Sequence, residues 1–168
     1  MEQVKQVTSA IMTPETLLKH WQGHRGLTRR VIETFPENDL FTFSIGGMRP
    51  FATQAMEIIT LTGAGVKGLA TGDWGNGQPA YITGEGMPET KEQLLKNWDE
   101  ATEMLETYWE QISAADYGDK VKIFGQWDGT ILSAIQYFMD NEIHHRAQGY
   151  VYLRALNIEP PAFWDRPM

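Results

Sequence analysis

YFMDNEIHHRAQGYVYLRALNIEPPAF, residues 137–163, decides how the rest of this chain is read. With the residues just before it, it places Ile131, Ile135, Phe138, Glu142, His145, Gly149, Tyr152 and Leu156 at intervals of three and four, the spacing of one helical face. Side chains at i and i+4 stack above one another on a helix, so Asn141 and His145 can converge on a single atom, while His144 is rotated about 100° away. His145 therefore points where Phe138 points, and Pro160 and Pro161 are expected to end the helix. Any chemistry starts in this stretch, where two adjacent histidines meet a glutamate, an asparagine and an arginine.

Working outward, three more helices are legible. Thr13, Pro14 and Glu15 read as a helix start, with a capping hydroxyl, a proline at the first helical position and an early acid facing the dipole. Leu17, Trp21, His24, Thr28, Val31 and Phe35 form that helix's core stripe, and Pro36 stops it. Asn38–Met48 reads as a linker anchored by Phe41 and Phe43. A second helix begins at Pro50, with Phe51, Ala55, Ile58, Thr62 and Val66 on its apolar face. Thr90 and Gln93 suit a capping box, and Leu94, Trp98, Ala101, Leu105, Trp109 and Ile112 hold one face of a third helix. Between the second and third, Gly63–Gly86 carries too many breakers for a long helix and is expected to be a crossing loop, with Trp74 and Tyr81 as possible rim residues of a pocket. Ser113–Gly125 reads as a loop, although Val121, Ile123 and Phe124 permit a short strand. The simplest assembly is one all-α domain over residues 1–168, an antiparallel four-helix bundle whose long second connection allows a crossover.

The run from Asn141 to Gln148, followed by Tyr152, Leu153, Arg154 and Asn157–Pro161, resembles the fourth helix of the DinB-like family, and Gly47–Phe51 resembles the entry to that family's second helix. The resemblance covers nearly the whole chain. It implies a four-helix bundle holding a divalent metal with one histidine from the second helix and a His-x-x-x-His pair from the fourth. Glu57 and Asn141 stand here where two of those histidines would be, and His145 matches the third. Periodicity alone puts Glu57 beside the second helix's stripe, at a boundary or facing solvent; the resemblance turns it inward.

By that resemblance Glu57, Asn141 and His145 are the metal ligands, with His24, Glu142 and His144 as possible partners that orient them. One carboxylate, one amide oxygen and one imidazole make an open site suited to zinc, nickel, iron or manganese, which the donor types do not separate. His20 and His24, at i and i+4, are a second candidate pair read more simply as structural. The resemblance also implies the chemistry, which is transfer of a low-molecular-weight thiol (bacillithiol, mycothiol or glutathione) to a small electrophilic substrate. A metal-dependent hydrolase and a non-catalytic bundle that binds a small ligand or partner remain as alternatives. A homodimer is the assembly expected of such relatives.

Composition sets limits. There is no cysteine, so any thiol must come from outside the chain. A formal charge of −8 argues against a nucleic-acid partner, since such binding neutralises phosphates with Lys and Arg. Lys19, Arg25, Arg29 and Arg30 read as a solvated basic face. Met1–Met12 lacks the continuous apolar core of a secretory leader, and no stretch approaches the ~18 apolar residues of a membrane span. A soluble cytoplasmic protein acting on a small molecule is the expectation.

Overall fold

The structure, a computed structural model, describes residues 12–76 and 78–167. The leader reading of Met1–Met12 therefore falls almost wholly outside the described residues. Four long helices dominate: α1 (Pro14–Thr34), α3 (Phe51–Thr71), α5 (Lys91–Trp109) and α6 (Ile131–Ala155). Two short helices, α2 (Glu37–Thr42) and α4 (Ala80–Thr83), sit in the connections, and a hairpin of β1 (Lys120–Ile123) and β2 (Trp127–Thr130) precedes α6. Among the described residues no helix is long and apolar enough to cross a membrane.

Local chemistry sets the boundaries. The Thr13 hydroxyl accepts from the Thr16 amide at 3.2 Å, and Thr90 and Thr130 cap α5 and α6 in the same way. α6 stops earlier than its prolines suggest. Asn157 takes a left-handed φ of 59°, its amide donates to the Arg154 carbonyl, and the Ile158 amide reaches back to Leu153 at 2.8 Å. That paired return is a Schellman motif, which satisfies carbonyls the helix leaves free before Pro160 is reached.

Three expectations are corrected. α3 runs on through Gly63, Gly65 and Gly68 to a left-handed Gly72, where a breaker-rich loop was expected. The glycines are sites of close approach: a Cβ at Gly65 would lie 2.8 Å from the Phe138 ring, and one at Gly68 would lie 2.2 Å from Trp74. Packing of aromatic rings directly on the helix backbone offsets the propensity these residues cost. Asn38–Met48 is not wholly a linker, because α2 occupies its first turns, although Phe41 and Phe43 do pack on the core. Ser113–Gly125 holds β1, whose pairing with β2 is turned through Phe124 and Gly125 at positive φ.

Residue pairs fix the helix directions. Gln22–Glu106, Arg25–Thr102 and Arg29–Asp99 run in opposite senses along α1 and α5. Gln54–Tyr152, Glu57–His145 and Gly65–Phe138 run in opposite senses along α3 and α6. Asn97 against Met56, and Met104 against Gly63, run in the same sense, so α3 and α5 are parallel neighbours. The bundle is up-down-down-up, so the connection between α3 and α5 is a crossover that returns the chain to the starting end.

Two apolar clusters fill the bundle. One centres on Trp21, Leu105, Trp109 and Phe138, the other on Phe35, Phe51, Trp98 and Tyr152. A polar belt of Arg25, Thr28, Thr62, Glu142 and Arg146 lies in the interior among them. Arg25, read from sequence as part of a solvated face, is 1% exposed, with its guanidinium 3.4 Å from the Trp98 ring centroid. Gly149 lets α6 approach Phe51, whose ring stacks on Phe35 at 4.9 Å and so has no room to retreat. Gly149→Ala would put a methyl 2.6 Å from that ring. Overpacking of about 1–3 kcal/mol outweighs the ~1 kcal/mol helix gain, so urea denaturation should show a net loss; an unchanged midpoint would refute the close approach.

Candidate functional site

α3 and α6 meet where Glu57 faces Asn141 and His145. Asn141 Nδ2 donates to Glu57 Oε1 at 2.8 Å, and His145 Nε2 lies 3.2 Å from the same oxygen. The spacing argument on α6 thus places both residues on one atom, as read from sequence. His145 is 6% exposed and Asn141 9%, while Glu57 is half-buried with a side-chain exposure of 16%.

Burial alone would push the Glu57 carboxyl up, but hydrogen bonds from His145, Arg49 and Asn141 outweigh it and hold the group at about 2. The carboxylate is therefore a fixed anion at neutral pH. Its second oxygen, Oε2, accepts from Arg49 Nη2 at 2.5 Å.

His145 is held from both sides. Its Nδ1 is 3.0 Å from Gln148 Oε1, one turn along α6, and Gln148 Nε2 is 3.1 Å from His144 Nε2. His144 therefore belongs to the cluster, though through Gln148 and not directly. The amide oxygen at Nδ1 is an acceptor, and the ring's other nitrogen, Nε2, faces Glu57 Oε1. Two lone-pair atoms 3.2 Å apart repel unless a proton or a metal ion lies between them. Asn141 Oδ1 is buried without a hydrogen-bond partner among the described residues, and half a turn of the amide would bring it beside the same carboxylate.

This donor set fits a cation. Glu57, Asn141 and His145 would hold it, with Gln148 fixing the imidazole by accepting from the far ring nitrogen, the arrangement metal-bound histidines favour. The hold would be modest, because Arg49 already neutralises part of the carboxylate. Among the described residues no three His, Cys, Asp or Glu side chains gather closely enough to bind an ion, and the cluster supplies only two of those types plus an amide.

Two expected partners turn elsewhere. Glu142 is fully buried and accepts from Thr28 at 2.6 Å and Trp21 at 3.3 Å, with Arg25 and Arg146 within 4 Å. Its place on the stripe beside His145 suggested an orienting role, but Thr28, Trp21 and Arg25 hold the carboxylate against α1. His24 also faces away from the trio. Its Nδ1 lies 3.0 Å from Arg146 Nη2, and its Nε2 lies near Arg166 and His20. Burial first, then Arg146, Arg166 and His20, pull His24 down to about 3. Trp74, offered as a rim residue, lies against Gly68 and Phe124, about three turns along α3 from Glu57. Tyr81 does stand near the cluster, 5.9 Å from the Arg49 guanidinium.

Arg49 and Gln148 complete the site; Arg49 lies in the Gly47–Phe51 stretch of the resemblance, but no role was read for it there, and it acts from outside α3. A separate hollow of about 740 Å³, lined by Gly23, Arg30, Trp164 and Arg166, lies between α1 and the C-terminal segment. Arg30 there is already committed to Asp165.

A profile of the DinB family matches residues 3–166. The fold is shared with a crystal structure of a DinB-like protein from Bacillus cereus ATCC 10987, at a TM-score of 0.67 and 17% identity over 88% of this chain and 95% of that one. A DinB-like protein from Bacillus subtilis is similar at a TM-score of 0.66 and 18% identity, over 88% of this chain and 96% of that one. Among curated proteins none matches.

Proposed function

The chain belongs to the DinB family, and from that premise we propose that the Glu57–Asn141–His145 cluster is a divalent-cation site of an enzyme that transfers a low-molecular-weight thiol to a small electrophile. The observation that carries this reading is the approach of His145 Nε2 to the ionised Glu57 oxygen at 3.2 Å, with Gln148 at the other ring nitrogen. Zinc, nickel, iron and manganese all suit the mixed oxygen and nitrogen donors. Such an ion, when bound, favours the deprotonated form of a thiol or water and so supplies a nucleophile near neutral pH.

The chain's own residues have separable tasks. Glu57 supplies the fixed negative charge, and Asn141 supplies a neutral oxygen that no protein donor among the described residues has claimed. Gln148 keeps the ring oriented with Nε2 inward. The absence of cysteine fits a scheme in which the thiol arrives as a cosubstrate. A second reading has its own observation. Arg49 already pairs with Glu57 and Asn141 donates to it, so the carboxylate has protein partners without an ion, leaving a bundle that binds a small molecule without turnover.

Elemental analysis of protein purified without a chelating column separates the two. The enzyme reading expects a bound transition metal that is lost in His145→Ala, together with thiol transfer from glutathione or a related thiol. It expects Gln148→Ala to bind the metal about 10-fold to 100-fold more weakly. A folded wild-type protein that takes up none of the four metals on titration would rule the cation out and leave the binding module.

A further inference from the structure

Arg49 offers more than a partner for Glu57. Its carbonyl is clamped by Gln54 Nε2 at 2.7 Å and by the Tyr152 hydroxyl at 2.9 Å, so its backbone is fixed at the entry to α3. The side chain is 41% exposed. Only Nη2 finds a protein acceptor, in Glu57; among the described residues Nε and Nη1 have none. A guanidinium presents five N–H groups in a planar fork, and here Nε and Nη1 stand near the Tyr81 ring without an acceptor among the described residues. The nearest anion, Glu57, is already matched by hydrogen bonds from Asn141 and Arg49 and by the His145 ring.

We propose that Arg49 is the recognition element for a small organic carboxylate, which docks its anionic group on the free part of the fork and places its body toward Glu57 and His145. A single guanidinium, partly neutralised by Glu57, matches one negative charge better than two, which favours a carboxylate over a phosphate dianion. On a chain of net charge −8 the average field disfavours an anion, so a fixed cation at the docking point matters more. This inference rests on the cluster being the substrate site, but not on a cation being present.

The test uses chelator-treated, full-length protein and two probes, benzoate and its neutral isostere benzamide, followed by NMR of the arginine Nε–H and backbone amides. Benzoate should shift the Arg49 Nε–H and amides near Gln54 and His145, with little response to benzamide. Arg49→Gln should weaken benzoate by about 10-fold to 100-fold, the span of a hydrogen bond to a charged group. Arg49→Lys, which keeps charge without the fork, should fall between and serves if Arg49→Gln does not fold. Equal responses to the two probes, no response to benzoate, or shifts confined to Arg30 and Arg166 would each overturn the proposal. Benzoate binding through Arg49 in a chain that takes up no metal would uphold this site and sink the cation. Metal uptake with benzoate indifferent to Arg49→Gln would do the reverse.

Discussion

Glu142→Ala is expected to cost the fold about 3–5 kcal/mol, because it strands two buried guanidinium groups at once. Arg25, 1% exposed, loses the carboxylate 3.7 Å from its Nη1, and Arg146 loses the one 3.9 Å away. Burial first, opposed mainly by Glu142, brings the Arg25 guanidinium down to about 10, so it stays charged in a place that water does not reach. Thr28 and Trp21 lose their acceptor as well. Arg25 keeps Thr62, Thr102 and the Trp98 carbonyl, but these are dipoles and do not replace a countercharge. Chemical denaturation gives the number, and a loss below about 1 kcal/mol would mean that the belt is electrostatically idle. Adding Arg25→Met to Glu142→Leu should recover part of the loss, since it removes one of the two guanidinium groups left without a countercharge.

Acid should act on the fold through His24 before it acts through any carboxylate. The folded-state value of His24, about 3, lies below its ordinary 6.5, so as pH falls below 6.5 the unfolded chain takes up a proton that the folded chain refuses. Its stabilising contribution is complete above pH 6.5 and shrinks by up to about 1.4 kcal/mol per pH unit toward pH 3. His20, also pulled down by burial and by Arg166, pushes in the same direction. Glu57 enters later: held at about 2 against an ordinary 4.5, its contribution is present above pH 4.5 and is lost as pH falls through 2. Between pH 6.5 and 4.5 the loss should therefore reach about 3 kcal/mol and belong chiefly to His24. His24→Gln, which can still accept from Arg146, should flatten that slope; the same slope in the variant would acquit His24.

The parts of the fold that were legible from sequence carry their own punctuation. Thr13–Pro14, Pro36 and Thr90 mark helix ends through backbone chemistry that depends little on tertiary surroundings, and the stripes of α1 and α5 are buried residue for residue. Gly63, Gly65 and Gly68 misled because propensity counts what a glycine costs and says nothing of Phe138 or Trp74, which arrive from distant sequence to fill the space. Arg25 misled for a related reason. A cation next to the core stripe is normally solvated, and only the joint arrival of Glu142, Thr62, Thr102 and Trp98 makes its burial tolerable.

In the site, the convergence of Asn141 and His145 follows from helix geometry alone. Glu57 did not follow from periodicity, which left it at a boundary, and a half-buried carboxylate between α3 and α6 is what that ambiguity looks like in three dimensions. Glu142 and His24 were placed on the correct faces, but their partners depend on which helix lies opposite. Gln148 sits one turn from His145 and was readable as a neighbour, whereas Arg49 acts across a helix entry and no spacing rule reaches it.

The Glu57–Asn141 contact joins residues 84 positions apart, and the crossover between the parallel helices lies inside that interval. On a ribosome, α1, α3 and α5 are synthesised before either Asn141 or His145. Closing so long a loop comes late and is slow relative to local helix formation, so the nascent chain holds the Arg49–Glu57 pair without Asn141 and His145 until α6 docks. A ligand of the finished cluster stabilises only molecules that have completed that step, which makes its binding a reporter of full-length maturation.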